Sequence, residues 1–176
     1  MTVVDQTTFR VVQRHALTDQ EQKDVLSLCF QAWGEDFAFL WPDSTHVLAS
    51  LHGRVVSHAL WITRWLQPAQ SPFLRTAYVE AVVTDEAYQG HGLATAVLQR
   101  LQASVTDFDV AALSPARYGL YERLGWEQWR GPLYVRTANG MLATPDEEVM
   151  IFRLPHTSQL NLDGPLSVEW REGEIW

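Results

Sequence analysis

The sequence predicts an α/β domain built on a mixed sheet, and three observations predict it. Segments of strand and helix character alternate over residues 45–154. Residues 78–84 are apolar and β-branched enough for a buried strand, and they pass through a glycine-bearing turn straight into a helix. A second strand and helix follow at once, at 109–125. At 176 residues the chain is long enough for one domain whose core needs no disulfide or metal staple.

Taken in order, residues 8–14 alternate as a first strand. Thr18 followed by Glu21 is a capping-box pattern, and it opens a helix in which Val25, Leu28, Cys29, Ala32 and Trp33 form one apolar stripe. That spacing makes Cys29 a packing residue rather than a nucleophile, and Gly34 ends the helix. Residues 35–44 mix aromatics with Glu35, Asp36 and Asp43 around Pro42, the composition of a loop over a site. Strands at 45–51 and 54–66 join through a tight His52-Gly53 hairpin, and 67–75, with Pro68 and Pro72, form a loop into the strand at 78–84. The following helix, Gly92 to Ser104, turns Leu93, Ala96, Val97 and Leu101 inward. Residues 109–113 form a short buried strand, after which Ser114-Pro115 reads as a helix start, Ser at the N-cap and Pro at the first helical position. Gly125 closes that helix. Further strands are expected at 126–130, 133–138 and 149–154, with an acidic turn at 144–148. Trp170 and Trp176 predict that the tail docks back, while Trp129 and Trp170 are expected at the surface, at a cleft or a partner.

A net charge of -8 and a pI near 5.1 disfavour nucleic acid, which is bound by clustered Lys and Arg, and suit a cationic partner. The one cysteine and six histidines show no zinc spacing, so neither a disulfide nor a metal is expected. The opening residues lack a secretory pattern and no apolar run is long enough to span a bilayer, so the expectation is a cytoplasmic protein without membrane contact.

Two features carry the chemistry. Glu80 lies in the core-like strand, where an unpaired carboxylate is costly, and this favours a working base over a structural acid. Gln89-Gly90-His91-Gly92-Leu93-Ala94 lies between strand and helix, where glycines let backbone N–H groups approach an anion. No Gly-Lys-Ser/Thr follows and the pattern is not GxGxxG, which disfavours nucleotide hydrolysis.

The glycine block resembles the Q/R-x-x-G-x-G/A motif of the GNAT acetyltransferase superfamily, with Gln89, Gly92 and Ala94 at its fixed positions. The resemblance implies the GNAT acyl-CoA N-acyltransferase fold, a mixed and mostly antiparallel sheet flanked by helices, in a single domain over 1–176. It implies acetyl-CoA as cosubstrate, its pyrophosphate on the backbone of Gln89, Gly90, His91, Gly92, Leu93 and Ala94 and its pantetheine on Val82, Val83 and Thr84, with no metal. YVEAVVT, LYERLGW, TPDEE ahead of IFRLP, and WREGEIW resemble the aminoglycoside 2'-N-acetyltransferases in order and spacing over roughly the whole chain. In that family a strand glutamate acts as base through water and a tyrosine protonates the departing CoA sulfur; these roles fall on Glu80 and Tyr121. Substrate contacts fall on Asp36, Glu80, Ala81, Ser114, Asp146, Glu147, Glu174 and Trp176. The implied acceptor is a polycationic aminosugar antibiotic, acetylated at a 2' amine as a means of antibiotic resistance, and a homodimer stays open. Phe39, Leu40 and Trp41 stand where the family carries another acid, which points towards a different or smaller aminosugar, kasugamycin-like. The alternatives are a GNAT enzyme for another small amine, such as a polyamine, and a CoA- or antibiotic-binding module without catalysis.

Overall fold

Segments rich in apolar residues form the first strands, β1 (Thr8–Gln13), β2 (Thr45–Leu51) and β3 (Arg54–Pro68), the last two buried along most of their length, in a computed structural model that describes residues 2–34 and 42–176. The chain divides into two compact units, Met1–Ile62 with Val79–Ser104, and Thr63–Tyr78 with Val105–Trp176. In the first unit β1 runs antiparallel to β2, Thr8 opposite Ser50 and Gln13 opposite Thr45, and β2 runs antiparallel to β3. The hairpin between β2 and β3 turns at His52 (φ 51°) and Gly53 (φ 78°), the paired left-handed residues that a two-residue hairpin requires.

The helix α1 (Asp19–Trp33) starts on the predicted capping box: the Glu21 N–H donates to Thr18 Oγ1 at 3.2 Å, and the Thr18 N–H donates to Glu21 Oε2 at 2.9 Å. It buries Val25, Leu28 and Cys29 against Val12, Leu48, Val55, Leu60 and Val83. The predicted stripe is longer than the buried face, for Ala32 and Trp33 are exposed in the last turn, Trp33 at 44%. The helix α2 (Leu93–Ser104) buries Leu93, Ala96, Val97, Leu98 and Leu101, and Leu93 packs with Leu51, Val56 and Val4.

In the second unit the first half of β4 (Leu74–Thr84) pairs in parallel with β5 (Val110–Leu113), Thr76 opposite Val110 and Tyr78 opposite Ala112. The short helix α3 (Tyr118–Arg123) follows β5. Next come β6 (Glu127–Gln128), β7 (Leu133–Thr137), β8 (Gly140–Ala143), β9 (Met150–Arg153) and β10 (Leu166–Glu169). β9 is antiparallel to β5 and β6, β7 is antiparallel to β8, and β10 lies parallel to β7 and antiparallel to the end of β3. The sheet is therefore mixed and mostly antiparallel, as expected.

Several boundaries differ from expectation for identifiable reasons. β4 begins at Leu74 because the Arg75 N–H donates to Asp109 Oδ2 at 2.7 Å and the Asp109 N–H donates to the Arg75 carbonyl at 2.9 Å, drawing the predicted loop into the strand. Ser114-Pro115 does not open a helix. The proline ring biases the preceding residue towards extended backbone, and α3 starts only at Tyr118, with Arg117 at the N-cap and no side-chain cap. The strand expected at 126–130 shrinks to β6, flanked by Trp126 (3% exposed) and Trp129 (4%). Trp129 is thus not a surface residue; its indole N–H donates to the Gly164 carbonyl at 2.8 Å, whereas Trp170 is 59% exposed. β8 and β10 were not anticipated. Asn139-Gly140 is the hairpin signal for β8, and the apolar alternation in LSVE is too short to stand out as β10.

Gly131 and Gly119 give opposite expectations. A Cβ on Gly131 would stand 1.9 Å from the Gly164 carbonyl oxygen and 2.7 Å from the Asp163 carbonyl carbon, both backbone. Gly131→Ala is expected to cost about 3 kcal/mol or more, a fall in Tm of roughly 6–12 °C. A Cβ on the exposed helical Gly119 would meet only the flexible Arg123 guanidinium at 3.4 Å, so Gly119→Ala should hold or raise Tm. Thermal melts of both variants check the pair.

Candidate active site

The second half of β4 carries Glu80 and, next to it, Ala81 at φ 51°, a left-handed step that non-glycine residues rarely take inside a strand. The Ala81 carbonyl accepts from His58 Nδ1 at 2.9 Å. A carbonyl can only accept, so His58 carries its proton on Nδ1, and its Nε2 accepts from His46 Nδ1 at 2.9 Å. The Nε2 of His46 in turn accepts from Ser44 Oγ at 2.8 Å. His46 and His58 are 1% and 0% exposed, and both are held neutral. Burial, with His46 beside it, pushes His58 down to about 3, and burial, with the charge of Arg14, pushes His46 down to about 4.

Past Ala81 the strand continues through Val82, Val83 and Thr84, and its end is pinned by Ser57. The Ser57 hydroxyl lies 3.2 Å from the Val83 carbonyl and 2.7 Å from Thr84 Oγ1. The Gln89 amide reaches back to donate to the Thr84 carbonyl at 3.1 Å, so the motif glutamine ties turn to strand. Gly90 (φ 76°) and Gly92 (φ 83°) are both left-handed, and a Cβ on either would meet nothing closer than Val4 Cγ2, 3.7 Å from Gly92. These glycines serve backbone direction rather than space. The Ala96 N–H donates to the Gly92 carbonyl at 3.0 Å, which makes Gly92 the residue that caps α2 and leaves the amides of Leu93, Ala94 and Thr95 without intrahelical acceptors. Gly90, His91 and Gly92 are exposed and the first turn of α2 holds no acid. Such a nest of N–H groups at a positive helix end fits an anionic diphosphate.

In the second unit Ser114 is exposed just after β5, and Tyr121 is buried on α3, edge-on to Trp126 with centroids 6.0 Å apart. Burial pushes the Tyr121 phenol up to about 12. Thr144 organises the acidic turn: its N–H donates to the Leu133 carbonyl at 2.9 Å, its carbonyl accepts from the Glu147 N–H at 3.3 Å, and its hydroxyl accepts from the Trp176 indole at 2.9 Å. The tail is held further by the buried Arg64, which donates to the Glu169 carbonyl at 2.7 Å and to the Ile175 carbonyl. Asp146, Glu147 and Glu174 are thereby gathered: burial, then Glu174, then Asp146 raise the Glu147 carboxyl above its ordinary range. Trp176, at 4% exposed, is an anchor of this arrangement.

Of the predicted site residues, Glu80, Ala81, Val82, Val83, Thr84 and 89–94 thus fall together in the first unit, and Ser114, Tyr121, Asp146, Glu147, Glu174 and Trp176 in the second. Asp36 lies outside the described residues, as do Phe39, Leu40 and Trp41. Sequence reasoning missed Ser44, His46 and His58, though a histidine inside each of two apolar strands was the available signal. Among the described residues no cluster of His, Cys, Asp and Glu could hold a metal, and no helix is long and apolar enough to cross a membrane.

The architecture is that of the GNAT acyltransferases. The N-acetyltransferase YhbS from Escherichia coli, solved in complex with CoA, matches with a TM-score of 0.59 at 15% identity, covering 95% of this chain and 91% of that one. Eis1 from Mycobacterium abscessus matches with a TM-score of 0.60 at 20% identity over 72% of this chain, which spans 32% of Eis1. Residues 16–129 match the acetyltransferase (GNAT) domain model, and the chain belongs to that family, as an acetyl-CoA-dependent N-acetyltransferase. In sequence it is 29% identical to the aminoglycoside 2'-N-acetyltransferase of Mycolicibacterium fortuitum over 182 residues, 96% of this chain and 92% of that one.

The neutral histidine pair makes stability depend on acid. The folded pKa values of about 3 and about 4 lie below the ordinary 6.5, so the unfolded chain takes up protons first as pH falls. Stability is full above pH 6.5 and drains as pH falls from there to about 4 for His46 and to about 3 for His58, by up to about 1.4 kcal/mol per pH unit for each histidine. Urea unfolding at several pH values should show a flatter profile over that window for His58→Phe than for the unmodified protein; equal slopes would contradict the assignment.

Proposed function

We propose that residues 1–176 act as one acetyltransferase domain that transfers an acetyl group to the 2' amine of an aminoglycoside. The observation that carries this reading is the gathering of Asp146, Glu147 and Glu174 around Thr144. Like charges oppose one another, here at the half-buried Glu147 beside the exposed Asp146 and Glu174, and a polycationic acceptor relieves that opposition while being oriented by it. The 29% identical aminoglycoside acetyltransferase supports the same acceptor class. The aromatic residues at 39–41 make a smaller, kasugamycin-like aminosugar a member of the acceptor panel to test.

Acetyl-CoA supplies the acetyl thioester, held at its pyrophosphate by the amides of 89–94 and along its pantetheine by Val82, Val83 and Thr84. The acceptor amine is protonated at neutral pH and has no free electron pair until Glu80 takes its proton, through water. The N–C bond then forms, the nitrogen loses its second proton to solvent and the C–S bond breaks, while Tyr121 gives its phenolic proton to the departing sulfur and is reprotonated from solvent. Burial raises the Tyr121 phenol to about 12, so it stays protonated across the working pH range and is at the same time a weaker proton donor than an ordinary phenol. No covalent bond to the protein is required.

Release of free CoA is expected with an aminoglycoside bearing a 2' amine and not with its 2'-hydroxyl counterpart; equal turnover of both, or of neither, rejects the regiochemistry. Glu80→Gln should lower kcat by about 100-fold or more and Tyr121→Phe by roughly 10- to 100-fold. Glu147→Gln should raise the acceptor KM several-fold and weaken its dependence on salt, while Tm holds or rises because a repulsive charge is gone. An unchanged KM would remove the acidic turn from the acceptor site.

A further inference from the structure

We propose that His58, backed by His46 and Ser44, is a positioning residue for acetyl transfer: by gripping the Ala81 carbonyl it fixes the left-handed step in β4 and, through it, the direction of Glu80. The inference rests on the reading of Glu80 as the base.

The three hydrogen bonds have one possible direction. Ser44 donates to His46, His46 to His58, and His58 to a carbonyl that can only accept. A chain that ends on an amide carbonyl has no terminal proton to release, so it is not a proton wire. It is a brace. Each ring's tautomer is dictated by the next bond, and the hydroxyl of Ser44, 2% exposed, donates into the pair from the other side.

The placement argues against simple filling. Leu48 and Leu60 are fully buried on the same two strands, and apolar residues would serve equally at positions 46 and 58 if packing were the only need. What a leucine cannot do is donate to the Ala81 carbonyl. A left-handed alanine is strained and persists only where its surroundings over-determine it. Such a step also breaks the two-residue alternation of a strand, so side chains on either side of it are re-aimed together. Glu80 is the residue immediately before the step. Releasing the carbonyl would let the strand relax towards regular extension and turn the Glu80 carboxylate away from its working direction.

The test joins spectroscopy to a mutant cycle in the intact protein. In 15N NMR spectra His46 and His58 should both show the Nδ1–H tautomer and stay neutral at pH 6; an Nε2–H tautomer for His58 would overturn the inference. His58→Phe should lower kcat by about 30-fold with the acetyl-CoA KM within about threefold. His58→Asn, whose amide N–H can take the place of Nδ1, should recover most of that loss. In a Glu80→Gln background His58→Phe should cost less than about twofold more, since both changes strike one function. Wild-type kcat in His58→Phe, or losses that multiply in the double variant, overturn the positioning role while Glu80 remains the base. Wild-type kcat in Glu80→Gln alone instead removes the base assignment itself. Should His58→Phe fail to fold, the tautomers of the unmodified protein and the His58→Asn kinetics decide.

Discussion

The hydrogen bond from His58 to the Ala81 carbonyl is the constraint on which the chemistry proposed for the first unit depends. A strand meant only for a core would run straight from Leu74 to Thr84, its peptide groups paired with neighbours and its side chains alternating. This one is interrupted beside its only carboxylate, and the interruption is secured by two buried rings and a hydroxyl rather than by backbone. Directly downstream, Ser57 and Gln89 pin the strand end, and two left-handed glycines turn the chain into α2 with its amides exposed. The backbone beside Glu80 and the turn proposed as the anion cradle are thus held by the same few residues of β3, β4 and the turn.

The second unit solves a different electrostatic problem. Arg64 is buried and donates to the carbonyls of Glu169 and Ile175, which brings the tail back along the sheet, and Trp176 then locks onto Thr144. The result places Glu174 against Asp146 and Glu147, a cluster that raises the Glu147 carboxyl rather than relaxing it. Proteins seldom gather acids without a counter-charge. On the proposed function the counter-charge belongs to the acceptor, so that stability is given up in the free protein for affinity in the complex.

Much of this was legible in the residues. The capping box of α1, the His52-Gly53 hairpin, the buried face of α2 and the glycine pair before it all rest on local rules that tertiary packing did not override. Local rules failed where distant residues intervened. Ser114-Pro115 carried a good helix signal, yet the chain continues extended out of β5 before α3 begins. Trp129 looked like a surface residue until the Gly164 carbonyl, far along the chain, received its indole. The step at Ala81 left no mark in the sequence at its own position; its signature is in His46 and His58, on other strands, and only the pairing of β2 with β3 shows that they form one chain.

A crystal structure with CoA and an aminoglycoside is the most direct measurement of the whole account. It should place the CoA pyrophosphate on the amides of residues 89–94 and the reacting amine on the Glu80 carboxylate, directly or through one water. An acceptor amine seated away from Glu80, with the carboxylate turned from it, would contradict the account.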